Sequence, residues 1–578
     1  MMRSATVIFA LGVIFGLTLF AFGGEKTNPA VYRSLENSQT ARVWIFFVDK
    51  GEDTGLQKTL TAQNLTERAR KRRLLRNPDG PLVDRFDLPV AGSYLRELRE
   101  AGIRVQRKSR WLNAVTATVE LADLAAIEAL PSVKKILPVR RYRNLRPTEM
   151  TPYEQPLRKK SGTSTFSYGG SLDQNQLINV VALHDLGLSG AGVTIAMLDA
   201  GFNNLGHEAF ANLTILHTWD FVNNDPVVED EPGQAGTGNH GTNTLSTIGG
   251  FKEGSLIGPA FGANYLLAKT ENTDSESHVE EDNWVAAAEW ADSLGADIIS
   301  SSLGYREMDD PTTDYTSEDM DGNTAIVTIG ADIAASRGIL VVNSAGNEFE
   351  AAPPENSLVA PCDGDSVLAI GATDRNGIRS FFSSTGPSWD GRVKPNVAAM
   401  GSSVVVASAG GTNRYSTSSG TSFSCPLTAG AAALLWEYQP NLTNMEIIQL
   451  LQSTANQANN PDRFLGYGVI DALAAYQNIL TNIGDPNPNV ARTLELEPAY
   501  PNPFNPATTI RYSVYRTAEV RLSVVNLLGQ ELDVLVEGSK DQGRYIARWE
   551  PGDVPSGIYF VVLSAGRESH SRKVVFLK

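Results

Sequence analysis

The spacing of hydrophobic and polar residues divides the chain into blocks, and the first block mixes two periods. Between residues 40 and 146, short apolar runs alternate with stretches in which apolar residues recur every three to four positions. Such runs are typical of strands and such spacing is typical of helices, so this block predicts a small α+β domain. The predicted strands are 42–48, 111–119 and 133–139, and the predicted helices are 92–101 and 121–130.

Residues 171–481 have a different pattern. Their apolar runs are short and nearly continuous, as expected of strands covered on both faces, and helical stretches lie between several of them. This alternation predicts an α/β domain with a doubly wound parallel sheet, in which ligands bind at the carboxyl ends of the strands. The clearest strands are 193–198, 297–302, 338–342 and 366–370, and the clearest helices are 283–294 and 332–337.

The pattern changes again after residue 481. Residues 482–492 contain Pro, Asn, Gly and Asp without an apolar period, which indicates a linker. Residues 493–578 alternate apolar and polar positions, which predicts a β-sandwich domain. The alternating segments are 508–514, 519–525, 545–549 and 557–563.

The first residues form a separate apolar segment. Residues 5–22 are mostly apolar, follow Arg3 and precede two glycines, which is typical of a secretory signal peptide over residues 1–23. The run is long enough that an uncleaved membrane anchor stays open as an alternative. The length of 578 residues predicts three or four domains, and 42% hydrophobic and 20% charged residues suit a soluble globular protein.

Charge is distributed unevenly along the chain. Residues 40–146 hold 22 Lys and Arg against 12 Asp and Glu, a net charge of +10, while the rest of the chain has a net charge of −26. We therefore expect the basic block and the acidic body to attract each other. The run Arg68–Arg73 is interpreted as a solvated helix face, and the acidic body argues against nucleic acid as a partner.

The chain has only two cysteines, Cys362 and Cys425. Two cysteines are too few for a fold built on disulfides, even in an oxidising compartment. We expect two free buried thiols, and a single bridge between them stays open.

The first candidate catalytic residue lies in the stretch Gly420–Pro426, which small and apolar residues follow. This stretch predicts a turn and then a buried helix, which places Ser422 at a helix N-terminus. There the backbone N–H of Ser422 and the helix dipole point at any oxygen that becomes negative nearby. A serine hydroxyl is a weak nucleophile at neutral pH, so it requires a base and an orienting carboxylate elsewhere in the chain.

Residues near predicted strand ends and turns supply the base and the carboxylate, together with an amide donor. Asp199 directly follows the first strand of the body, and Asn347 follows the third strand as an amide donor. Only His240, of six histidines, lies in a turn rich in Gly and Asn, 238–242, where an imidazole approaches neighbouring backbone closely. A histidine held by a carboxylate accepts the proton of a serine. Ser302, Leu303 and Gly304, after the second strand, offer an edge to which an extended peptide could add.

Together these stretches resemble the subtilisin-like serine peptidases. The resemblance implies a catalytic triad of Asp199, His240 and Ser422, with Asn347 in the oxyanion hole and polypeptides as substrates. One departure is Ala200, where the family usually has a hydroxyl residue that could form a local hydrogen bond. We expect no cofactor for catalysis. The matching stretches are 192–199, 239–242, 299–304, 344–347, 380–387, 394–397 and 420–426.

The same resemblance accounts for the two flanking blocks. Residues 40–146 are similar to the inhibitory propeptide of these enzymes, which implies autocleavage between Arg140 and Gly170. Residues 493–578 look like the C-terminal sorting domain of type IX secretion substrates, on 500–507, 526–531 and 573–578. This implies the type IX machinery as a partner and a secreted or cell-surface protein of a Gram-negative bacterium. A carbohydrate- or surface-binding sandwich is the alternative.

Two acidic stretches have no assigned role. One follows Gly304 and the other precedes His240. Most such loops are merely solvated, and the alternatives are a preference for basic residues near the cut or a structural calcium site. Their members are Glu307, Asp309, Asp310, Asp314, Glu318, Asp319 and Asp321 in the first, and Asp225, Glu229, Asp230 and Glu231 in the second.

The sequence thus predicts a secreted serine endopeptidase that acts through an acyl-enzyme. The alternative is a catalytically silent binding protein that kept the fold. A lipase or esterase is disfavoured, because Gly420–Ser424 lacks the second glycine of the G-x-S-x-G motif and the order of the triad differs.

Overall fold

The structure is a computed structural model with two compact units, residues 1–478 and 479–578. The predicted signal peptide and all but the first two residues of the predicted linker lie outside the described residues. In the described part of the chain, no helix is long and apolar enough to cross a membrane. The described residues are 26–52, 54–76, 81–139, 151–152, 164–236, 238–272, 281–306, 314–483, 494–497, 499–515, 517–526, 530–552, 554–565 and 568–576.

An α+β domain with a four-stranded antiparallel sheet begins the first unit. The strand order is β2-β3-β1-β4, which confirms the predicted class. Residues 26–28 already bond to the last strand, because Asn28 N donates to Ile136 O at 2.9 Å. The elements are α1 (Pro29–Asn37), β1 (Ala41–Phe47), α2 (Thr54–Asn64), α3 (Glu67–Arg76), α4 (Gly92–Glu100), β2 (Val105–Ser109), β3 (Ala114–Val119), α5 (Leu121–Glu128) and β4 (Val133–Pro138).

The rest of the first unit is an α/β domain around a seven-stranded sheet in which every pairing is parallel. Its elements are β5 (Thr151–Pro152), α6 (Leu172–Leu177), α7 (Val180–Asp185), β6 (Thr194–Asp199), β7 (Thr214–Asp220), α8 (His240–Gly249), β8 (Phe251–Lys252), β9 (Leu256–Ile257), β10 (Asn264–Lys269), α9 (Glu281–Leu294), β11 (Ile298–Ser301), α10 (Ile326–Ser336), β12 (Leu340–Ser344), β13 (Val367–Thr373), β14 (Val397–Met400), β15 (Val404–Ala407), β16 (Tyr415–Ser418), α11 (Thr421–Tyr438), α12 (Asn444–Ser453) and α13 (Ala472–Ile483).

The order of the large sheet is β14-β13-β12-β11-β6-β10-β7. Strands β6, β11, β12 and β13 are buried along their whole length, as their continuous apolar runs predicted. Helix α11 packs against β11 to β14. The doubly wound parallel sheet expected from the sequence is therefore confirmed, and its central strands carry the residues of interest at their carboxyl ends.

One cluster of buried apolar side chains joins the α+β and α/β domains. Trp44 and Trp111 from the first domain share it with Trp284 in α9 and Ile299 in β11. Burial of large aromatic side chains is the strongest apolar contribution that a contact of this kind offers. The two domains consequently fold as one compact body.

Helix α3 lies against the α/β domain, so the interpretation of Arg68–Arg73 as a solvated helix face is wrong. Arg72 and Arg73 are only 3% and 5% exposed. Arg72 donates to Ala296 O and to the carboxylate of Asp292, and Arg73 donates to the same carboxylate at 2.6 Å. Buried arginines are tolerated because each charge meets a carboxylate and carbonyl oxygens.

The other ion pairs of this interface follow the same arrangement, with mostly basic groups on the α+β domain and mostly acidic groups on the α/β domain. The attraction expected from the uneven charge distribution is thus seen as direct contacts. The pairs are Arg42–Asp282, Arg68–Asp297, Arg107–Asp282, Arg110–Glu289 and, with the signs reversed, Arg337–Asp84.

The second unit contains two antiparallel sheets with a shared apolar core. The strand orders are β17-β18-β21 and β20-β19-β22-β23, which confirms the predicted β-sandwich. Its strands are β17 (Leu494–Leu496), β18 (Thr508–Val514), β19 (Ala518–Val525), β20 (Glu531–Lys540), β21 (Gly543–Trp549), β22 (Gly557–Ala565) and β23 (Glu568–Phe576).

Candidate active site

The candidate residues converge on one edge of the large sheet. Strand β6 ends at Asp199, and its neighbour β11 ends one residue before Ser302. In the register of these strands Ser301 lies opposite Leu198 on one side and Asn343 on the other. The carboxyl ends of β6, β11 and β12 are therefore level, as expected of parallel neighbouring strands.

Ser422 lies in the first turn of α11. The helix begins at Thr421, and the preceding Gly420 has φ +155°. Pro426 falls inside the helix near its start, where the missing N–H costs little. Ser422 is 8% exposed, so it is almost entirely buried. Its position at a helix N-terminus agrees with the sequence prediction.

The sequence suggested that His240 lies within a turn. In the structure it is instead the first residue of helix α8. Its Nδ1 lies 2.6 Å from Asp199 Oδ1, and the Asp199 side chain is completely buried, whereas that of His240 is 26% exposed. Two flanking glycines make this approach sterically feasible. A Cβ on Gly238 would lie 2.4 Å from Ala200 O, and a Cβ on Gly241 would lie 2.3 Å from Gly201 O.

Asp199 is fixed by two further donors. Ala200 N donates to Oδ1 at 2.8 Å, and the hydroxyl of Thr244 donates to Oδ2 at 2.8 Å. Thr244 therefore gives the carboxylate a hydroxyl donor although Ala200 has none. No sequence motif marked Thr244, but its spacing from His240, four residues along a helix, puts both side chains on one face.

The charge state of His240 follows from its surroundings. Burial lowers the pKa of His240, but the charge of Asp199 and the hydrogen bond to it outweigh burial, and Glu271 contributes in the same direction. The pKa of His240 therefore lies above its usual value of 6.5. Since Nδ1 faces the carboxylate, Nε2 is the nitrogen available for another group.

His240 and Ser422 are neighbours without a direct bond. The ring of His240 lies 6.0 Å from the ring of Phe423, the residue after Ser422. The Ser422 hydroxyl donates to Ser302 O at 3.4 Å, and among the described residues no hydrogen bond joins it to His240. Such bonds are often long or misaligned without substrate and form in the complex, so this geometry is compatible with proton transfer.

Asn347 and the edge residues surround Ser422. Asn347 is exposed, and its Oδ1 accepts from Thr421 N at 2.9 Å, which leaves Nδ2 as the donor of this amide. The hydroxyl of Ser302 donates to Ser422 O at 2.8 Å, and Leu303 O accepts from a side chain of β12 at 2.9 Å. Ser302, Leu303 and Gly304 thus begin directly beside Ser422.

Both cysteines are free and buried, which confirms the expectation of two thiols. Cys425 lies in α11, and its Sγ donates to Val342 O at 3.4 Å. Burial raises the pKa of Cys362 and of Cys425 to about 12, so both stay protonated at neutral pH.

The described residues contain no group of three or more His, Cys, Asp or Glu side chains that could hold a metal ion. In the acidic loop after Gly304, Glu307, Asp309 and Asp310 lie outside the described residues. Asp319 and Asp321 accept hydrogen bonds from their own turns, which is the role of ordinary turn carboxylates.

Three family models match the chain. The subtilase family model matches residues 190–468, and a Peptidase S8 propeptide domain of Bacteroidota matches residues 42–155. A secretion system C-terminal sorting domain matches residues 498–577. These matches support the sorting domain over the carbohydrate-binding alternative, and they indicate a secreted or cell-surface protein.

Relatives agree with the family models. Subtilisin of Bacillus pumilus is 32% identical over 303 residues, which cover 52% of this chain and 96% of the relative. Subtilisin E of Bacillus subtilis (strain 168) is 29% identical over 383 residues, covering 66% and 85%. Fervidolysin of Fervidobacterium pennivorans, a keratinolytic enzyme related to subtilisin, is similar in fold, with a TM-score of 0.54, 17% identity and coverage of 91% of this chain and 70% of that one. The chain therefore belongs to the subtilase family of serine endopeptidases and carries a propeptide domain and a C-terminal sorting domain.

Proposed function

We propose that this subtilase hydrolyses peptide bonds with a triad of Asp199, His240 and Ser422 and is made as a proenzyme. The observation that carries the proposal is the 2.6 Å contact between His240 Nδ1 and Asp199 Oδ1, next to the N-terminus of α11. A buried carboxylate that holds one imidazole nitrogen fixes the tautomer in which the other nitrogen accepts a proton.

Each step follows from these groups. Ser422 Oγ attacks the carbonyl carbon of the substrate while its proton passes to His240 Nε2. The C–N bond then breaks, and the amine leaves with that proton, which gives an ester on Ser422. Water attacks the ester and gives a proton to His240, and release of the carboxylic acid returns the proton to Ser422. Asp199 stabilises the imidazolium throughout.

The negative oxygen formed during attack needs donors. Asn347 Nδ2 is the free end of an amide whose oxygen is already bonded to Thr421 N at 2.9 Å. The backbone N–H of Ser422, in the first turn of α11, is the second donor, and the helix dipole adds to it. This arrangement supports an oxyanion hole between Asn347 and Ser422.

Polypeptides are the substrates of the family, and we propose that the edge Ser302–Gly304 aligns them. These residues follow β11 and begin beside Ser422. An extended peptide that adds to this edge as a strand places a carbonyl group next to the nucleophile.

The α+β domain acts as the inhibitor of its own enzyme until it is removed. Its apolar and ionic contacts with the α/β domain support this role. We propose autocleavage between Arg140 and Gly170. In this interval Thr151 and Pro152 pair with β16, which ends four residues before Ser422. Residues 151 and 152 therefore lie against the strand that precedes the nucleophile in the chain.

The sorting domain points to the route of export. We propose that the type IX secretion machinery of a Gram-negative bacterium recognises the C-terminal unit and that the protease is released or held at the cell surface. Deleting residues 498–577 should then leave the enzyme in the periplasm, which cell fractionation measures.

Metal ions are not part of the proposed chemistry. A structural calcium ion remains a proposal, although the described residues contain no group of three or more His, Cys, Asp or Glu side chains that could hold it. Thermal unfolding with and without chelator tests this, and an unchanged midpoint temperature would contradict a stabilising calcium site.

Active-site labelling distinguishes the proposal from the alternative of a catalytically silent binding protein. A serine-directed phosphonate should add one group to the mature protein, on Ser422, and a burst of product should accompany peptide hydrolysis. The Ser422→Ala precursor should keep its N-terminal domain in intact-mass spectra. Absence of labelling and of hydrolysis in mature protein would favour the silent alternative, and a trimmed Ser422→Ala protein would overturn autocleavage.

A further inference from the structure

Two segments leave the edge of the sheet side by side, and the gap between them, here the slot, is occupied by a side chain from a third segment. One wall is the segment Ser302–Gly304 after β11, and the other is the segment 345–347 after β12. Each wall contributes a glycine that faces the slot, Gly304 and Gly346. A third segment crosses between them and carries Val359, which is 4% exposed.

The side chain of Val359 occupies the space beside both glycines. A Cβ on Gly304 would lie 2.2 Å from Val359 Cγ2, and a Cβ on Gly346 would lie 2.9 Å from Val359 Cγ1. One methyl group of the valine therefore contacts each wall. The isopropyl group fills the base of the slot from side to side, which leaves no room for another large side chain.

Backbone hydrogen bonds hold Val359 in this position. Val359 N donates to Ala345 O at 3.2 Å, which ties it to one wall. The next residue, Ala360, exchanges two bonds with Tyr305, at 2.9 and 3.1 Å, which ties the segment to the other wall. A β-branched side chain also has few alternative rotamers, so it does not swing out of the slot.

The mouth of the slot lies at the proposed catalytic groups. Ser302, at the start of one wall, bonds to Ser422 O, and Asn347, at the end of the other wall, bonds to Thr421 N. A carbonyl group between Ser422 and Asn347 therefore sits over the opening. In that pose the side chain on the carbon next to the carbonyl would enter the slot.

We propose that Val359 restricts cleavage to bonds that follow a small residue, Gly, Ala or Ser. This inference rests on the proposed function, since it assumes that Ser422 attacks the carbonyl group at the mouth of the slot. A methyl group fits above the isopropyl group of Val359, whereas a longer or aromatic side chain must displace it. Overfilling a packed site forces side chains off their rotamers and shifts the backbone.

A series of peptides that differ only in the residue before the cut tests the proposal. With the mature wild-type enzyme, kcat/KM should be highest for Ala and lower for Phe by on the order of 100-fold, the discrimination that one or more unfavourable contacts in a pocket give. A wild-type enzyme that prefers Phe or Leu would overturn the inference without any variant.

Variants then assign the effect to Val359. In Val359→Ala and Val359→Gly the ratio of kcat/KM for Phe over Ala should rise by on the order of 10-fold to 100-fold, in the order of the volume removed. Val469→Ala is the matched control, because Val469 is also 4% exposed and lies outside the slot. Its ratio should equal that of the wild type.

The outcomes separate the two proposals. If Ser422 is labelled and peptides are cut, but the ratio is unchanged in both Val359 variants, the role of Val359 is wrong and the proposed function stands. If Ser422 is not labelled and no peptide is cut by wild-type enzyme, both are wrong.

Discussion

The hydroxyl of Thr244 donates to Asp199 Oδ2 over 2.8 Å, on the carboxylate whose Oδ1 faces His240 at 2.6 Å. We expect Thr244→Val to lower kcat about tenfold with KM nearly unchanged, because a hydrogen bond to a buried charge contributes about 1.5–3 kcal/mol. Without this donor the carboxylate turns more freely and holds the imidazole less well. Steady-state kinetics of the mature enzyme measure the effect.

Thr244→Ser is the matched control, since it keeps the hydroxyl and removes only a methyl group. Its kcat should stay near the wild-type value. Equal losses in Thr244→Val and Thr244→Ser would mean that packing in α8, rather than the bond to Asp199, determines the activity.

Glu271 is expected to set part of the pH dependence. It follows β10, in which Lys269 lies opposite Asp199, and it accepts a hydrogen bond from Tyr305 at 2.7 Å. Its negative charge helps to raise the pKa of His240. Removal of this charge destabilises the imidazolium, so His240 loses its proton at lower pH.

The acidic limb of the kcat/KM profile should therefore lie above pH 6.5 in the wild type and move to lower pH in Glu271→Gln. Glu253→Gln, at an exposed glutamate, is the control and should leave the limb in place. A limb that moves to higher pH in Glu271→Gln would contradict this electrostatic role.

Arg72 is expected to stabilise the precursor strongly. It is buried and bonds to the carboxylate of Asp292 and to Ala296 O. Replacing it by Met leaves Asp292 with a less compensated buried charge. We expect Arg72→Met in the Ser422→Ala precursor to lower the free energy of unfolding by about 3–5 kcal/mol.

Thermal and urea unfolding of the intact precursor measure this change. Arg104→Met, at an exposed arginine of the same domain, should change the stability by less than about 0.5 kcal/mol. A loss of similar size in both variants would show that the ion pair with Asp292 is not the cause.

His184 is expected to make the protein sensitive to acid. Its Nε2 donates to Pro259 O at 2.8 Å, and its Nδ1 therefore accepts from the hydroxyl of Tyr168 at 2.5 Å in the neutral ring. Burial lowers the pKa of His184 to about 4. Below pH 6.5 His184 is protonated in the unfolded chain but stays neutral in the folded chain. The free energy of unfolding that is present above pH 6.5 therefore decreases as the pH falls toward 4.

The loss attributable to His184 amounts to about 3 kcal/mol over this range. Denaturant unfolding of wild type and His184→Gln between pH 7 and 4 checks it, and the difference between the two proteins should shrink as the pH falls. His217→Gln, at an exposed histidine, should follow the wild type. Parallel curves for wild type and His184→Gln would disprove the assignment.

The sequence was most informative where both faces of a strand are buried. Strands β6, β11, β12 and β13 had nearly continuous apolar runs, and the polar residues after them marked the candidate site. Strand β7 was not predicted, because an edge strand that is half exposed, as at His217, has no clear period. Helix α10 was predicted too short, because Ile326 and Val327 favour strands by propensity and only packing against α9 makes them helical.

Contacts between distant segments were beyond prediction from patterns. The bond of Thr244 to Asp199 and the contact of Val359 with Gly304 depend on how segments more than 40 residues apart meet. The burial of Arg72 was not predicted for the same reason. A basic helix is expected to face solvent unless it packs against acidic groups, and the partner Asp292 is distant in the sequence. Residue type and spacing identified Asp199 and Ser422 because strand ends and helix starts are local features.

Loss of the α+β domain also alters the electrical character of the molecule. The intact chain has a net charge of −16, while everything outside residues 40–146 sums to −26. If the α+β domain is removed as proposed, Asp282 and Asp292 on α9 lose their arginine partners and the remaining chain is more acidic. Mutual repulsion between copies of such a polyanion would then oppose their association.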